Sequence, residues 1–123
     1  MKKIIHLLLV TVFTVIACNA SAQDDILKVA PKTNKLLLDN SHVRVIEGSL
    51  MPGEKTAMHH HPGHMIYFLS GGRVRFTLKD GSKKEVTSKT GETRWNEAVD
   101  HEAENIGATT VRYLIVEPKE DKM

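Results

Sequence analysis

Residues 58–72, MHHHPGHMIYFLSGG, place four histidines within six positions and then enter an apolar segment that ends at two glycines. Side chains alternate between the two faces of a β-strand, so His59 and His61 share one face and His60 lies on the other. The following Pro-Gly pair predicts a turn that reverses the chain. His64 then begins the partner strand, with its side chain toward the same interior. The stretch therefore predicts three imidazoles around one point.

A fourth imidazole has to come from another part of the chain, and His101 opens the later segment HEAEN. Neutral imidazole is a good ligand for zinc, copper, iron and nickel, whereas calcium prefers oxygen. The cluster therefore indicates a transition-metal site. The alternative is a solvated loop that is rich in histidine and binds nothing. Spacing alone leaves both interpretations open.

Short apolar segments separated by turn residues make up the rest of the chain. Several of them alternate with a period of two, as Val74, Phe76 and Leu78 do, and no long segment after the N-terminal region keeps a helical period. The Asp80-Gly81 pair is the strongest hairpin signal. This pattern predicts a single all-β domain, an antiparallel sandwich or barrel.

The N-terminal residues have the composition of an export signal. Lys2 and Lys3 precede an apolar run, and Ala-Ser-Ala at residues 20–22 matches a signal peptidase site. The alternative is cleavage before Cys18 and a lipid anchor there. The predicted organisation is a cleaved signal peptide at 1–22, a polar lead at 23–34, a β-barrel at 35–117 and a charged tail at 118–123. The expected location is the periplasm or the outside of the cell.

The charge balance argues against nucleic acid as a partner. Removing Lys2 and Lys3 from the 17 basic residues leaves 15, against 15 acidic residues. A neutral domain has no electrostatic attraction for nucleic acid or for an anionic membrane surface. The apolar run near the N-terminus is also too short to span a bilayer comfortably. A small molecule is the expected partner.

Two segments resemble the two sequence motifs of the cupin family. Residues 52–72, PGEKTAMHHHPGHMIYFLSGG, contain a glycine, five intervening residues, a His-x-His pair and a closing glycine, as the first motif does. Counting back from Gly71, His64 occupies the position of the family's glutamate. Residues 91–105, GETRWNEAVDHEAEN, resemble the second motif, in which a histidine is followed after three residues by an asparagine, here Asn105.

This resemblance implies a fold, a cofactor and a set of ligands. The implied fold is an antiparallel double-stranded β-helix, or jelly-roll barrel, that holds one divalent transition metal such as Fe, Mn, Ni, Zn or Cu. The implied metal ligands are His59, His61, His64 and His101. Similar cupins include dioxygenases and isomerases, which implies a secreted enzyme acting on a small molecule. The alternative is a non-catalytic periplasmic module that binds a metal or a small ligand. No catalytic acid or base is assigned, and pairing through sheet edges implies a homodimer.

Other prominent side chains are assigned to packing or to solvent. The large aromatic residues are expected to fill the core: Phe68, Phe76, Trp95 and Tyr113. The arginines of the predicted strands are expected on wet strand faces: Arg44, Arg75, Arg94 and Arg112. By strand alternation, Glu102 and Glu104 point away from the face of His101. His60 is expected to be exposed.

Overall fold

The structure, a computed structural model, describes residues 24–120. A one-turn helix, α1 (Ile26–Val29), precedes nine strands. The strands are β1 (Asn34–Asp39), β2 (Val43–Leu50), β3 (Lys55–His61), β4 (His64–Ser70), β5 (Gly72–Leu78), β6 (Lys83–Ser88), β7 (Thr93–Asn96), β8 (Val99–Asn105) and β9 (Val111–Pro118). The predicted signal peptide, the alternative anchor at Cys18 and the last residues of the tail lie outside the described residues. No helix within residues 24–120 is long and apolar enough to cross a membrane.

The strands form two antiparallel sheets that face each other. The five-stranded sheet has the order β1-β2-β9-β4-β7, and the four-stranded sheet has the order β3-β8-β5-β6. Neighbouring strands in a sheet are often distant in the sequence, as β2 and β9 are. This architecture confirms the predicted all-β fold of the double-stranded β-helix type.

The link between β3 and β4 differs from the predicted hairpin. β3 pairs with β8, whereas β4 pairs with β7 and β9, so the two strands that flank Pro62 and Gly63 lie in different sheets. The prediction that His64 begins the partner strand of β3 is therefore wrong. His64 still faces the interior, because both sheets direct their buried faces toward the same core.

The hairpin predicted at Asp80-Gly81 is confirmed. It joins β5 to β6, whose register runs from Gly72 opposite Ser88 to Thr77 opposite Lys83. Gly81 has φ of 85°, a conformation that glycine adopts without steric cost. The backbone preferences of Asp80 and Gly81 are therefore enough to specify the turn between β5 and β6.

The core contains residues from both sheets and from the N-terminal segment. Ile46 and Ile115 on neighbouring strands pack with Ile26, which is 1% exposed. Ile26 belongs to α1, so the segment predicted to be a polar lead contributes one of the most deeply buried side chains. The helix therefore completes the core at its end of the barrel.

The aromatic residues divide between core and surface. Phe68 is buried, and Phe76 and Tyr113 pack against its cluster, as predicted. Trp95 is 56% exposed, so its predicted core role is wrong. Its indole Nε1 donates a hydrogen bond to Glu97 outside the barrel. In β7, Trp95 alternates with the partly buried Arg94 and Asn96, which places the indole on the outer face.

Candidate metal centre

An irregularity in β3 determines which of its side chains face the interior. The register with β8 shifts between Thr56 and His59, so a β-bulge interrupts simple alternation. As a result Thr56, His59 and His61 are all buried, although 56 and 59 differ in parity. His60 points to the other side, where its Nδ1 lies 2.7 Å from an oxygen of Asp100. That side chain is half-buried and not exposed as predicted.

Strand pairing brings His101 to the histidines of β3. His59 lies directly opposite His101 in the antiparallel register of β3 and β8. Side chains at opposed positions share one face of the sheet and come within contact distance. The ring centroids of His59 and His101 are 4.9 Å apart, and Phe76 stacks on the other side of His101 at 4.8 Å.

Three of the four predicted ligands form a compact group. One ligand atom each from His59, His61 and His101 lies within 4.8 Å of the others. His64 borders this group, since its ring centroid is 4.9 Å from that of His61, but it is not part of the set of three. The structure thus gathers a group compatible with a divalent metal ion, and the ligand role of His64 stays a prediction.

Backbone carbonyls fix the orientation of two of the rings. Nδ1–H of His59 donates to the carbonyl of Ala57 at 2.7 Å, and Nδ1–H of His64 donates to the carbonyl of Pro62 at 2.8 Å. A neutral imidazole has one proton, so Nε2 of each ring keeps its lone pair. Such bonds from the outer nitrogen are typical of histidines that bind metals.

The cavity keeps these imidazoles uncharged. Burial lowers the pKa of His59 to about 4, an effect that the bond to Ala57 only partly offsets. Burial, followed by repulsion from the neighbouring histidines, lowers the pKa of His101 to about 3. The pKa of His64 is also lowered, mainly by burial. At neutral pH the rings therefore offer the unprotonated nitrogens that metal coordination requires.

The spacing of the donor atoms fits a metal ion. Nε2 of His59 and Nε2 of His61 are 3.0 Å apart. Two nitrogens bound at right angles to one ion, with bonds of about 2.1 Å, lie about 3.0 Å from each other. The donor set also consists of uncharged nitrogen ligands in an apolar setting, which suits a transition metal better than calcium.

The interior next to the histidines is small and largely apolar. The cavity has a volume of about 70 Å³. Its polar lining consists of Thr56, Asn96, the hydroxyl-bearing Tyr113 and the histidines, and within the described chain no carboxylate lines it. Its apolar walls are Ile26, Leu50, Ile66, Phe68, Val74, Phe76, Ala103, Val111 and Ile115. The core position predicted for Phe68 agrees with this lining.

Asn96 gives His64 a second polar contact. Its side-chain Nδ2 donates to Nε2 of His64 at 3.3 Å, the nitrogen that would face an ion. This long bond competes with coordination by His64.

A buried carboxylate that was not predicted from the sequence lies beside the site. Glu117 is 3% exposed, and its Oε1 lies 3.6 Å from Nδ1 of His61. Its Oε2 accepts a hydrogen bond of 2.6 Å from Nε of Arg44, whose other end contacts Asp25. The side chain of Arg44 is only 20% exposed, so its predicted place on a wet strand face is wrong. The alternation of β9, in which Tyr113, Ile115 and Glu117 share a face, was the available signal.

The remaining acidic residues of β8 and the motif asparagine have structural roles. Glu102 pairs with Lys55 and Glu104 with Arg75 on the outer face, as predicted. Asn105 is 1% exposed, and its Nδ2 donates to the carbonyls of Leu50 and Thr109. This asparagine therefore ties the end of β8 to neighbouring chain segments and does not face the histidines.

Solved structures with this fold include several cupins. A cupin domain from Bordetella pertussis has a TM-score of 0.65 at 22% identity, covering 71% of this chain and 92% of that chain. RemF, a polyketide cyclase from Streptomyces resistomycificus, has a TM-score of 0.55 at 24% identity, covering 98% of this chain and 81% of that chain. An RmlC-like cupin family protein from Methanocaldococcus jannaschii has a TM-score of 0.54 at 20% identity, covering 71% and 81%.

These likenesses identify the fold of the chain. No protein-family model matches the sequence, and no curated protein matches it. The solved structures share the double-stranded β-helix at low identity, and two of the three are described as cupins. The chain therefore has the cupin fold, as its two sequence motifs predict.

Proposed function

We propose that this protein is a metal-dependent cupin that acts on a small molecule. His59, His61 and His101 hold a divalent transition metal, Fe, Mn, Ni, Zn or Cu, and His64 completes the set when it leaves Asn96. The observation that carries the proposal is the convergence of three imidazoles, two of them buried and one partly buried, with ligand atoms within 4.8 Å of one another. A bound metal of this kind would act as a Lewis acid or activate a bound ligand.

The chain's own residues would prepare the site for that chemistry. The backbone carbonyls of Ala57 and Pro62 accept hydrogen bonds from Nδ1–H of His59 and His64, which keeps the rings in a fixed orientation. The apolar walls exclude water and keep electrostatic interactions strong. Four protein ligands leave two positions open on an octahedral ion, enough for a substrate. Dioxygenase or isomerase chemistry would use these positions.

Two further points support an enzyme that works outside the cytoplasm. RemF, whose fold resembles this one along 98% of the present chain, is described as a polyketide cyclase, so an enzyme occurs among the similar structures. The signal-like composition of residues 1–22 supports export to the periplasm or beyond.

A non-catalytic binding module is the second candidate. The cavity of about 70 Å³ is far smaller than a typical site for an organic ligand, and no carboxylate lines it within the described chain. A general acid or base would therefore have to be an imidazole or a bound water. Turnover separates the two functions: oxygen uptake or product formation with a panel of phenols, thiols and diketones supports the enzyme, whereas saturable binding without turnover supports the module.

Metal analysis tests the site itself. Untagged protein, purified without chelators, is expected to contain about one transition-metal ion per chain. His59→Ala and His101→Ala are expected to lose most of it, because each removes a ligand from the group of three. The metal content of His64→Ala shows whether the fourth histidine contributes to metal binding.

His60→Ala is the matched control, since His60 neighbours two ligands but faces Asp100 on the other side of the strand. This variant should keep its metal. Wild-type protein that binds none of the five metals on titration, or equal metal content in all variants, would contradict the proposal.

A further inference from the structure

Two buried polar atoms face each other behind the histidine group. Nδ1 of His61 and Oε1 of Glu117 are 3.6 Å apart, and both side chains are 4% exposed. Neither atom has a hydrogen-bond partner within residues 24–120. An unsatisfied buried polar atom destabilises the folded state, so two such atoms in direct opposition point to a hydrogen bond that forms in another state of the site.

Arg44 holds Glu117 in place for that bond. Its Nε donates to Oε2 of Glu117 at 2.6 Å, which leaves Oε1 directed at His61. Arg44 also contacts Asp25, so one guanidinium is shared by two carboxylates. This trio has one excess negative charge beside a site built for a cation. Without this negative charge, a divalent ion bound by four neutral imidazoles would have no charge-compensating group beside it.

Metal binding decides where the single proton of His61 lies. Nε2 of His61 is 3.0 Å from Nε2 of His59, and a proton between them would block both lone pairs. When Nε2 of His61 coordinates a metal, the proton has to be on Nδ1. Glu117 is the acceptor that this arrangement requires, and a small shift closes the gap of 3.6 Å.

We propose, on the basis of the function proposed above, that Glu117 is a positioning residue of the metal centre. Its carboxylate, held by Arg44, accepts a hydrogen bond from Nδ1–H of His61, which leaves Nε2 of that ring free to bind the metal. At the position of His64 the first cupin motif has a glutamate, which would bring a negative charge to the site. Glu117 supplies this charge indirectly, through its hydrogen bond to the imidazole of His61.

Glu117→Gln tests this role because Arg44 can only donate hydrogen bonds. The carbonyl of the new amide has to face Arg44, so its NH₂ group faces Nδ1 of His61. When His61 binds the metal through Nε2, its Nδ1–H donor then faces a second donor, the NH₂ group of the substituted side chain. We expect the affinity for Zn²⁺, measured by competition with a chelating dye at pH 7, to fall about 10–100-fold.

Glu47→Gln is the matched control. Glu47 also pairs with an arginine, Arg112, across the same two strands, but the pair is exposed. This variant is expected to bind Zn²⁺ like the wild type. If Glu117→Gln also binds Zn²⁺ like the wild type, the role of Glu117 is overturned. If the wild type itself binds no Zn²⁺, the proposed function is overturned instead.

NMR of the zinc-loaded chain provides a readout that a purely structural role would not change. In ¹⁵N-labelled wild-type protein, the Nδ1 proton of His61 should be visible, shifted downfield and slow to exchange with water. It should move upfield or disappear in Glu117→Gln and persist in Glu47→Gln. Should Glu117→Gln fail to fold, the wild-type spectrum decides alone: rapid exchange of that proton would overturn the proposal.

Discussion

Burial of the imidazoles determines how single residues of the site respond to pH. A buried histidine is most stable in its neutral form, because desolvation disfavours the charge. His59 has its pKa lowered to about 4 from an ordinary value of 6.5. Below pH 6.5 the unfolded chain therefore takes up a proton at His59 that the folded chain does not, and folding becomes less favourable as the pH falls.

This difference predicts an acid-labile metal-free protein. Between pH 7 and pH 5, His59 alone should lower the free energy of unfolding by about 2 kcal/mol. His101, whose pKa is lowered to about 3, acts in the same direction. Urea denaturation of metal-free protein at the two pH values measures the effect. His59→Gln should show a smaller loss, and equal wild-type stability at both pH values would contradict the assignment of buried neutral rings.

At the scale of elements, α1 is a structural part of the barrel although it has only four residues. Its N-cap, Asp25, accepts a hydrogen bond from the backbone N–H of Leu27 and also contacts Arg44. The backbone N–H of His60 donates to the carbonyl of Asp24 at 2.7 Å. The segment is therefore attached to β3 and β2, next to the ends that carry the site.

Truncation of Ile26 tests the contribution of this helix. Ile26 is 1% exposed and packs against Ile46 and Ile115. Ile26→Ala should lower the free energy of unfolding by about 2–5 kcal/mol, since the substitution leaves a cavity in the core. Leu37→Ala is the control, because Leu37 is 46% exposed and should change stability by about 0.5 kcal/mol or less. Equal effects in urea denaturation would show that the helix is not part of the core.

At the scale of the whole molecule, the candidate site joins both sheets. β3 and β8 of the four-stranded sheet carry His59, His61 and His101, while β4 and β9 of the other sheet carry His64 and Glu117. An ion held by the three grouped histidines and by His64, as proposed, would link the sheets, and these ligands converge only in the folded chain. Metal binding should therefore stabilise the entire domain.

Thermal unfolding measures this linkage. At a free Zn²⁺ concentration 100 times the dissociation constant, the stabilisation is about 2.7 kcal/mol. The unfolding temperature should rise with added Zn²⁺ and return after chelation. The same titration of His101→Ala, which lacks one ligand, should give a much smaller rise. An unfolding temperature that is independent of Zn²⁺ in the wild type would contradict the linkage.

The predicted homodimer concerns the outer surface of the molecule and stays a prediction. β1 is an edge strand of the five-stranded sheet, and Leu36, Leu37 and Leu38 in it are 43%, 46% and 46% exposed. An edge strand offers unpaired backbone groups to another strand, and apolar side chains favour such contacts.

The sequence by itself determined the local features of this protein. Strand alternation put His59 and His61 on one face, the Asp80-Gly81 pair determined the β5–β6 hairpin, and two motifs indicated the cupin fold with four histidines. The first two follow from a side-chain period of two and from the φ values that glycine allows, both of which act over a few residues, whereas the third rests on resemblance to a known family.

Only the tertiary structure decided which distant residues meet. The link at Pro62 and Gly63 joins two sheets and not two paired strands, and Trp95 lies outside the barrel. Arg44 and Glu117 are 73 positions apart in sequence and form a buried pair beside His61. Strand partners are selected by burial of apolar surface and by closure of long loops over the whole domain. Alternation along β9 places Glu117 on the face of Ile115, but it does not show which side chains of other strands meet that carboxylate, so the role of Glu117 became visible only when the sheets were packed together.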